Sequence, residues 1–155
     1  MSEAYEEILE GERWLRLPPD GRHERICARL HERVAAGLDG GLCRLLALRS
    51  RIELGAGHTV RPDLALVTAA NGRLWLAAEI VNAADHHPDT VTKKDAYEQA
   101  RLPRLWMIDP RYDNVEVYHG GPYGLVLKGI LAGREALTER LLPAFRVTVA
   151  EIFAA

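Results

Sequence analysis

Cysteines, long apolar runs and net charge are all scarce in this chain of 155 residues. Its two cysteines, Cys27 and Cys43, are isolated, which is more typical of thiols buried in a core in a reducing compartment than of a disulfide framework. No apolar run approaches the ~20 residues that a membrane-spanning helix needs, and the acidic start MSEAYEEILEGERW is unlike a signal peptide. We therefore expect a cytoplasmic protein that neither spans nor binds a membrane.

The sequence also has no internal repeat, no low-complexity segment and no obvious linker. With 48% apolar residues, residues 1–155 are expected to form one globular domain. The net charge of −2 gives no support for a nucleic-acid partner by itself. Whole-domain charge is a weak guide, however, because a basic face and an acidic pocket can share one surface.

The order of apolar patterns predicts a mixed α/β domain whose centre is a hairpin flanked by helices. WLRLPP predicts a short strand at Arg13 to Leu17, and an amphipathic pattern predicts a helix over about Arg22 to Gly37. The apolar stripe of that helix consists of Ile26, Cys27, Leu30, Val34 and Leu38. A second helix is predicted for TVTKKDAYEQAR. Strands are predicted for LCRLLALR, SRIELG, RPDLALVT, LWLAAEIV, RLWMID, NVEVYHG and YGLVLKGI, and a short strand or helical turn for the tail.

Two carboxylates flank the predicted central hairpin. Asp63 begins one apolar strand and Glu79 lies late in the next, and the Asn-Gly turn between the strands favours antiparallel pairing. The start of one strand then lies beside the end of the other, so the two carboxylates should meet at one sheet edge. Two carboxylates so placed repel each other unless a cation or a shared proton neutralises them, and Mg²⁺ or Mn²⁺ is the simplest cation for oxygen ligands. Alternatively, Asp63 only caps a turn and Glu79 pairs with an arginine.

Two lysines begin the helix predicted after the Glu79 strand. Lys93 and Lys94 return to the same end of the sheet, where an ammonium group could orient a metal-bound water and stabilise negative charge on a phosphorane. The alternative is a solvated helix start, which is slightly disfavoured because cations are less stable near a helix N-terminus.

The chain resembles the PD-(D/E)XK nucleases and, more closely, the Uma-two family of restriction-endonuclease-like proteins. The resemblance covers nearly the whole chain and rests on the order and spacing of YEEILEGERWLRLPP, GRHERICARL, VRPDLALV, AAEIV, TKKDAYEQARLPRLWMIDP, VEVY and LLPAFRVTVAEIF. It implies that Pro62-Asp63 is the PD element, that Glu79 is the second acid and that Lys93 is the lysine, carried on the helix. A literal E-x-K is absent because Val81 stands two residues after the glutamate. The segment IVNAADHHPD also replaces the Val-Leu-Ser-Pro-Ser that often follows the glutamate in the family.

Three further residues are candidates for substrate binding. His23 falls at one end of the apolar stripe, so it should face the sheet. The resemblance places a polar residue there, which could bind the scissile phosphate or hold a metal-bound water. The alternative is a hydrogen-bonded histidine at the core edge. Arg22 begins a stripe of arginines along which a phosphate backbone could lie, although such a stripe is more often a solvated helix face. Lys94 is the nearest substitute for Lys93.

These features together predict a restriction-endonuclease-like α/β domain that uses Mg²⁺ or Mn²⁺ to hydrolyse phosphodiesters in DNA. Asp63 and Glu79 would hold the metal, and Lys93 would position the attacking water. A homodimer is expected, with LWMID and LLPAF as candidate surface segments. The alternative is a catalytically silent domain that keeps the fold for interaction or nucleic-acid binding.

Overall fold

The computed structural model describes residues 3–38, 41–82 and 88–155. The strands among them are β1 (Tyr5–Leu9), β2 (Glu12–Arg16), β3 (Cys43–Leu45), β4 (Ile52–Gly55), β5 (His58–Val60), β6 (Leu64–Thr68), β7 (Leu74–Ile80), β8 (Arg104–Asp109), β9 (Asn114–Gly121), β10 (Gly124–Ala132), β11 (Ala136–Glu139) and β12 (Leu142–Thr148). The helical segments are α1 (Gly21–Ala36), a π-helix (Pro88–Thr92), α2 (Lys93–Gln99) and α3 (Val149–Phe153). In the part of the chain so described, none of the helices has the length and apolar character needed to cross a bilayer.

A six-stranded mixed sheet, in the order β10-β9-β8-β7-β6-β3, forms the centre of the molecule. Its β7 and β8 are parallel and are connected through the π-helix and α2, whereas every other neighbouring pair is antiparallel. A second sheet, in the order β2-β1-β5-β4, contributes to the core on the α2 side, and β11 pairs with β12. The structure therefore has the mixed α/β sheet with flanking helices that the sequence predicts.

Alternation along β7 separates two cores. Leu76, Ala78 and Ile80 pack with the buried face of α1, whereas Ala77 packs with α2 and the smaller sheet. Successive side chains of a strand point to opposite faces. Glu79, next to Ala78, is therefore directed to the α2 side, which is why a residue on α2 can reach it.

The first helix follows the predicted pattern closely. Its buried residues are His23, Ile26, Cys27, Leu30 and Val34. The side chain of Asp20 caps it by accepting a hydrogen bond from the backbone N–H of His23 at 2.7 Å. This cap fixes the first turn and so positions His23 against the sheet.

Two sequence predictions differ from the structure. The N-terminal segment forms a hairpin of β1 and β2 instead of one strand, because Glu10 and Gly11 both adopt positive φ (54° and 79°), as a type I′ turn requires. The sequence predicts one continuous helix over TVTKKDAYEQAR, whereas the structure has a π-helical turn (Pro88–Thr92) followed by the α-helix α2, which Lys93 and Lys94 begin as predicted.

The prediction that LWMID forms part of a dimer surface is also wrong. Leu105, Trp106, Met107 and Ile108 are almost completely buried, since β8 is covered on both faces. Residues of LLPAF are likewise split between buried and exposed positions. Homodimerisation remains a prediction without an assigned surface.

Gly120 on β9 packs closely against the segment that connects α2 to β8, and a substitution there tests this packing. A β-carbon at this position would lie 2.3 Å from the backbone oxygen of Leu102. Gly120→Ala should therefore lower the free energy of unfolding in urea by roughly 1–3 kcal/mol or more. Gly129→Ala is the matched control, since nothing lies within 4 Å of its added methyl group. Equal urea midpoints for the two variants would contradict this packing.

Candidate active site

Asp63 and Glu79 lie at the same end of the central hairpin. Leu64 of β6 pairs with Ala78 of β7 in antiparallel register. Asp63, which precedes Leu64, therefore lies beside Glu79, which follows Ala78. The Oδ2 of Asp63 accepts a hydrogen bond from the backbone N–H of Ile80 at 2.8 Å. Each carboxylate residue is only 3% exposed. The turn and the register of the hairpin thus bring the two predicted acids to one sheet edge.

Asp63 is surrounded by donors from α1 and from the segment after β3. Its Oδ1 contacts His23 Nε2 at 3.0 Å and accepts a hydrogen bond from Arg49 Nε at 3.2 Å. Burial alone would raise the pKa of Asp63, but the hydrogen bond and charge of His23, the Ile80 N–H and the charge of Arg49 hold the pKa below its ordinary value. Asp63 is therefore an ionised carboxylate that contacts a histidine, an arginine and a backbone N–H, which is more than a turn cap would require.

Glu79 is held by two groups from α2. Its Oε2 lies 2.7 Å from Lys93 Nζ and accepts a hydrogen bond from the Tyr97 hydroxyl at 2.5 Å. Lys93 and Tyr97 are four residues apart, so they lie on one face of the helix. Burial and the Glu79 carboxylate raise the pKa of Tyr97 well above its usual value, which keeps the phenol protonated as a donor. Lys93 is fully buried, with 0% exposure, and is directed toward Glu79.

Sequence reasoning missed a third buried carboxylate, Glu7 on β1. Its Oε2 lies 2.6 Å from Lys93 Nζ and accepts a hydrogen bond from the Arg61 N–H at 2.7 Å, while its Oε1 pairs with Arg16 at 2.9 Å. Lys93 thus bridges Glu7 and Glu79. An acid at a buried position of the alternating segment YEEIL was the available signal, but nothing local indicates a partner 86 residues away.

The remaining candidates lie around this cluster. His23 is 7% exposed and borders a cleft of about 250 Å³ that is also lined by Arg22 and Asn82. Arg22 itself donates hydrogen bonds to the Pro110 carbonyl and to Asp113, both at 2.7 Å. His23 therefore connects the buried acids to an opening, and Arg22 lies at its rim.

Lys94 is directed elsewhere. Its Nζ lies 4.6 Å from the centroid of the Tyr118 ring, and no contact with Asp63 or Glu79 is found among the described residues. The arginine stripe of α1 is also engaged in packing, because Arg29 donates to backbone carbonyls of Glu151, Ile152 and Ala154. Residues 83–87, which include most of the loop after β7 and its histidines, lie outside the described residues.

The donor chemistry of the cluster fits a hard divalent cation. Asp63 and Glu79 supply carboxylate oxygens, and Mg²⁺ is commonly held in proteins by one or two carboxylates with waters in the other positions. No group of three His, Cys, Asp or Glu ligands converges in the part of the chain that the structure describes. These two carboxylates are therefore the residues that could hold Mg²⁺ or Mn²⁺.

Comparisons with known proteins identify the family and the fold. Residues 2–150 match the model of the Uma2 family, described as "Putative restriction endonuclease". A solved structure from Anabaena variabilis ATCC 29413, named a "putative nuclease belonging to DUF820", is 17% identical with a TM-score of 0.79, over 96% of this chain and 89% of that one. At this identity the likeness shows the fold, and it confirms the expected fold class. No curated protein matches the chain.

Proposed function

We propose that this chain, which belongs to the Uma2 family, is a metal-dependent nuclease that hydrolyses phosphodiester bonds in DNA. The observation that carries the proposal is the contact of Lys93 with Glu79 at 2.7 Å, at the same hairpin end where Asp63 accepts a hydrogen bond from Ile80. Two buried carboxylates with a lysine beside them are groups that metal-assisted phosphodiester hydrolysis can use, and no other cluster among the described residues offers them.

The roles follow from the contacts. Asp63 and Glu79 would hold Mg²⁺ or Mn²⁺, which supplies Lewis acidity toward the phosphate and lowers the pKa of bound water. Lys93, held between Glu7 and Glu79, would orient the attacking water and donate a hydrogen bond to the charge that develops on the phosphate. His23 lies between Asp63 and the surface cleft, where it would contact the phosphate or its water.

One observation favours a silent interaction domain as the second candidate. Protein cations already neutralise the acids, since Asp63 contacts Arg49 and Glu79 contacts Lys93. Repulsion between the acids therefore does not by itself require a metal. In such a domain the cluster would serve only as a buried ion-pair network, which proteins can retain without any gain in stability.

A metal titration of thermal stability separates the two candidates. A ligand that binds only the folded state stabilises it by about 2.7 kcal/mol at a hundredfold excess over Kd. For a chain of this size, saturating Mn²⁺ should raise the melting temperature by roughly 5–10 °C. Asp63→Asn should lose this response. A melting temperature of the parent that is insensitive to millimolar Mn²⁺ and Mg²⁺ would favour the silent domain.

A further inference from the structure

A second cleft lies on the α2 side of the central sheet, away from His23. Its volume is about 460 Å³, within the ~300–1,000 Å³ of typical ligand pockets. It runs between β4 of the smaller sheet and the β3, β6 edge of the larger one. Its rim carries Arg44, Arg51 and Arg73, and its floor includes Ile52, Leu54 and Leu74. The cleft therefore combines three guanidinium groups with an apolar surface.

Two of these arginines have no anionic partner within the described residues. The guanidinium groups of Arg44 and Arg73 form no ion pair and no hydrogen bond there, although the backbone N–H of Arg73 donates to Thr68 and Asn71. The third arginine, Arg51, lies 3.4 Å from Glu53. Arg44 lies across the hairpin turn, since a β-carbon on Gly72 would come within 3.7 Å of its Nη2. Arg73 follows Gly72 directly, so two exposed cations without partners border one end of the cleft. An anion would relieve the repulsion between them.

The floor places a second requirement on the ligand. Ile52, Leu54 and Leu74 are half-buried and pack against the core on the α2 side, leaving part of each side chain facing the cleft. Removing this apolar surface from water contributes roughly 25 cal/mol per Å². The ligand must therefore carry both negative charge and an apolar body, as an unpaired nucleotide does with its phosphate and its base.

The cleft and the candidate active site are connected along β6. Val67, which lines the cleft, is four residues along β6 from Asp63, or about 13 Å at 3.3 Å per residue. A stacked strand rises about 3.4 Å per nucleotide, so this distance corresponds to about four nucleotides. Arg51, which also lines the cleft, is two residues along the chain from Arg49, which contacts Asp63.

We infer that this cleft binds single-stranded nucleic acid next to the cleavage site, with phosphates on Arg44 and Arg73 and an unpaired base on the apolar floor. The inference rests on the proposed nuclease function and deepens it, because it assigns a single-stranded region to the substrate. A duplex could occupy the cleft only after extruding a base, which costs a few kcal/mol.

Fluorescence anisotropy with a labelled 12-nucleotide single-stranded DNA in EDTA tests this inference without cleavage. The double variant Arg44→Gln, Arg73→Gln should weaken binding about 10- to 30-fold at 0.1 M salt. The slope of log K against log salt should become shallower by about 1.4, since each phosphate contact on a single strand contributes about 0.7. Arg134→Gln is the matched control, because this exposed arginine follows β10 at the opposite edge of the sheet. It should change affinity less than twofold.

Three results would overturn the inference. The double variant could retain the parent's affinity and salt slope, the parent could bind a duplex of the same sequence as tightly as the single strand, or the parent could bind neither. Each is separable from failure of the nuclease proposal, because metal-dependent nicking of a plasmid is measured independently. A parent that nicks DNA while the double variant binds normally would contradict only the role of this cleft.

Discussion

Lys93→Met should lower metal-dependent nicking of supercoiled DNA by roughly 10²-fold or more while the protein still binds Mn²⁺. Losing one donor to the charge of a transition state costs about this much in rate. Both acids remain in place in this variant and a competing cation is removed, so a calorimetric Mn²⁺ titration should show binding at least as tight as in the parent. Retained Mn²⁺ binding also reports that the variant is folded.

Stability should fall in the same variant. Glu7 and Glu79 would keep their buried charges without the ammonium group that bridges them at 2.6 and 2.7 Å. Removing one partner of a buried ion pair typically costs about 3–5 kcal/mol. The free energy of unfolding in urea should therefore decrease by this amount. Assays are therefore made well below the melting temperature of the variant.

Lys94→Met is the matched control for Lys93→Met. It removes the neighbouring lysine of the same helix, which lies over the Tyr118 ring, and should change nicking only slightly. If Lys93→Met cuts as well as the parent, or if Lys94→Met is the variant that fails, the assignment of the catalytic lysine is wrong.

Glu79→Gln should abolish both Mn²⁺ binding and nicking. The substitution keeps the shape of the side chain and removes one of the two charged oxygen ligands, so Asp63 would hold the cation alone. The unfolding free energy should decrease, because Lys93 loses one of its two carboxylates. If no protein cation lay beside the two acids, removing one acid would relieve their repulsion and stabilise the metal-free protein. Because Lys93 contacts Glu79, the substitution instead removes a favourable ion pair.

Tyr97→Phe tests whether Mn²⁺ affinity depends on Glu79 as a metal ligand or only on the hydrogen bonds that hold the Glu79 side chain. The hydroxyl of Tyr97 donates to the same carboxylate oxygen, yet it is not expected to contact the metal. This variant should keep Mn²⁺ affinity within a few-fold of the parent. Equal losses of Mn²⁺ affinity in Glu79→Gln and Tyr97→Phe would indicate that the site responds to packing and that Glu79 is not a ligand.

Local sequence patterns were sufficient to predict the acid pair. The Asn-Gly turn predicts a hairpin, and alternation predicts its faces, so the approach of Asp63 and Glu79 follows from two short segments. The inward orientation of His23 likewise follows from the 3.6-residue period of α1. These features depend on neighbours along the chain, which is why sequence reasoning reaches them.

Features that depend on distant contacts were not predictable in this way. Lys93 and Lys94 differ by about 100° around a helix, so only one can face Glu79, and the sequence does not say which. In the structure it is Lys93 that contacts Glu79. Glu7 reaches the site only because β1 pairs with β5, immediately before the segment that carries Asp63. Its role as a partner of Lys93 therefore required the three-dimensional structure.

The most direct test of the account is plasmid nicking by the parent and by Asp63→Asn, each in Mg²⁺, in Mn²⁺ and in EDTA. Asp63 is the acid held by His23, Arg49 and the Ile80 N–H, and its amide variant keeps the size of the side chain. The account predicts nicking by the parent that requires a divalent cation and is absent in EDTA and in Asp63→Asn. A parent that leaves DNA intact with both metals, or an Asp63→Asn variant that nicks at the parent's rate, would contradict it.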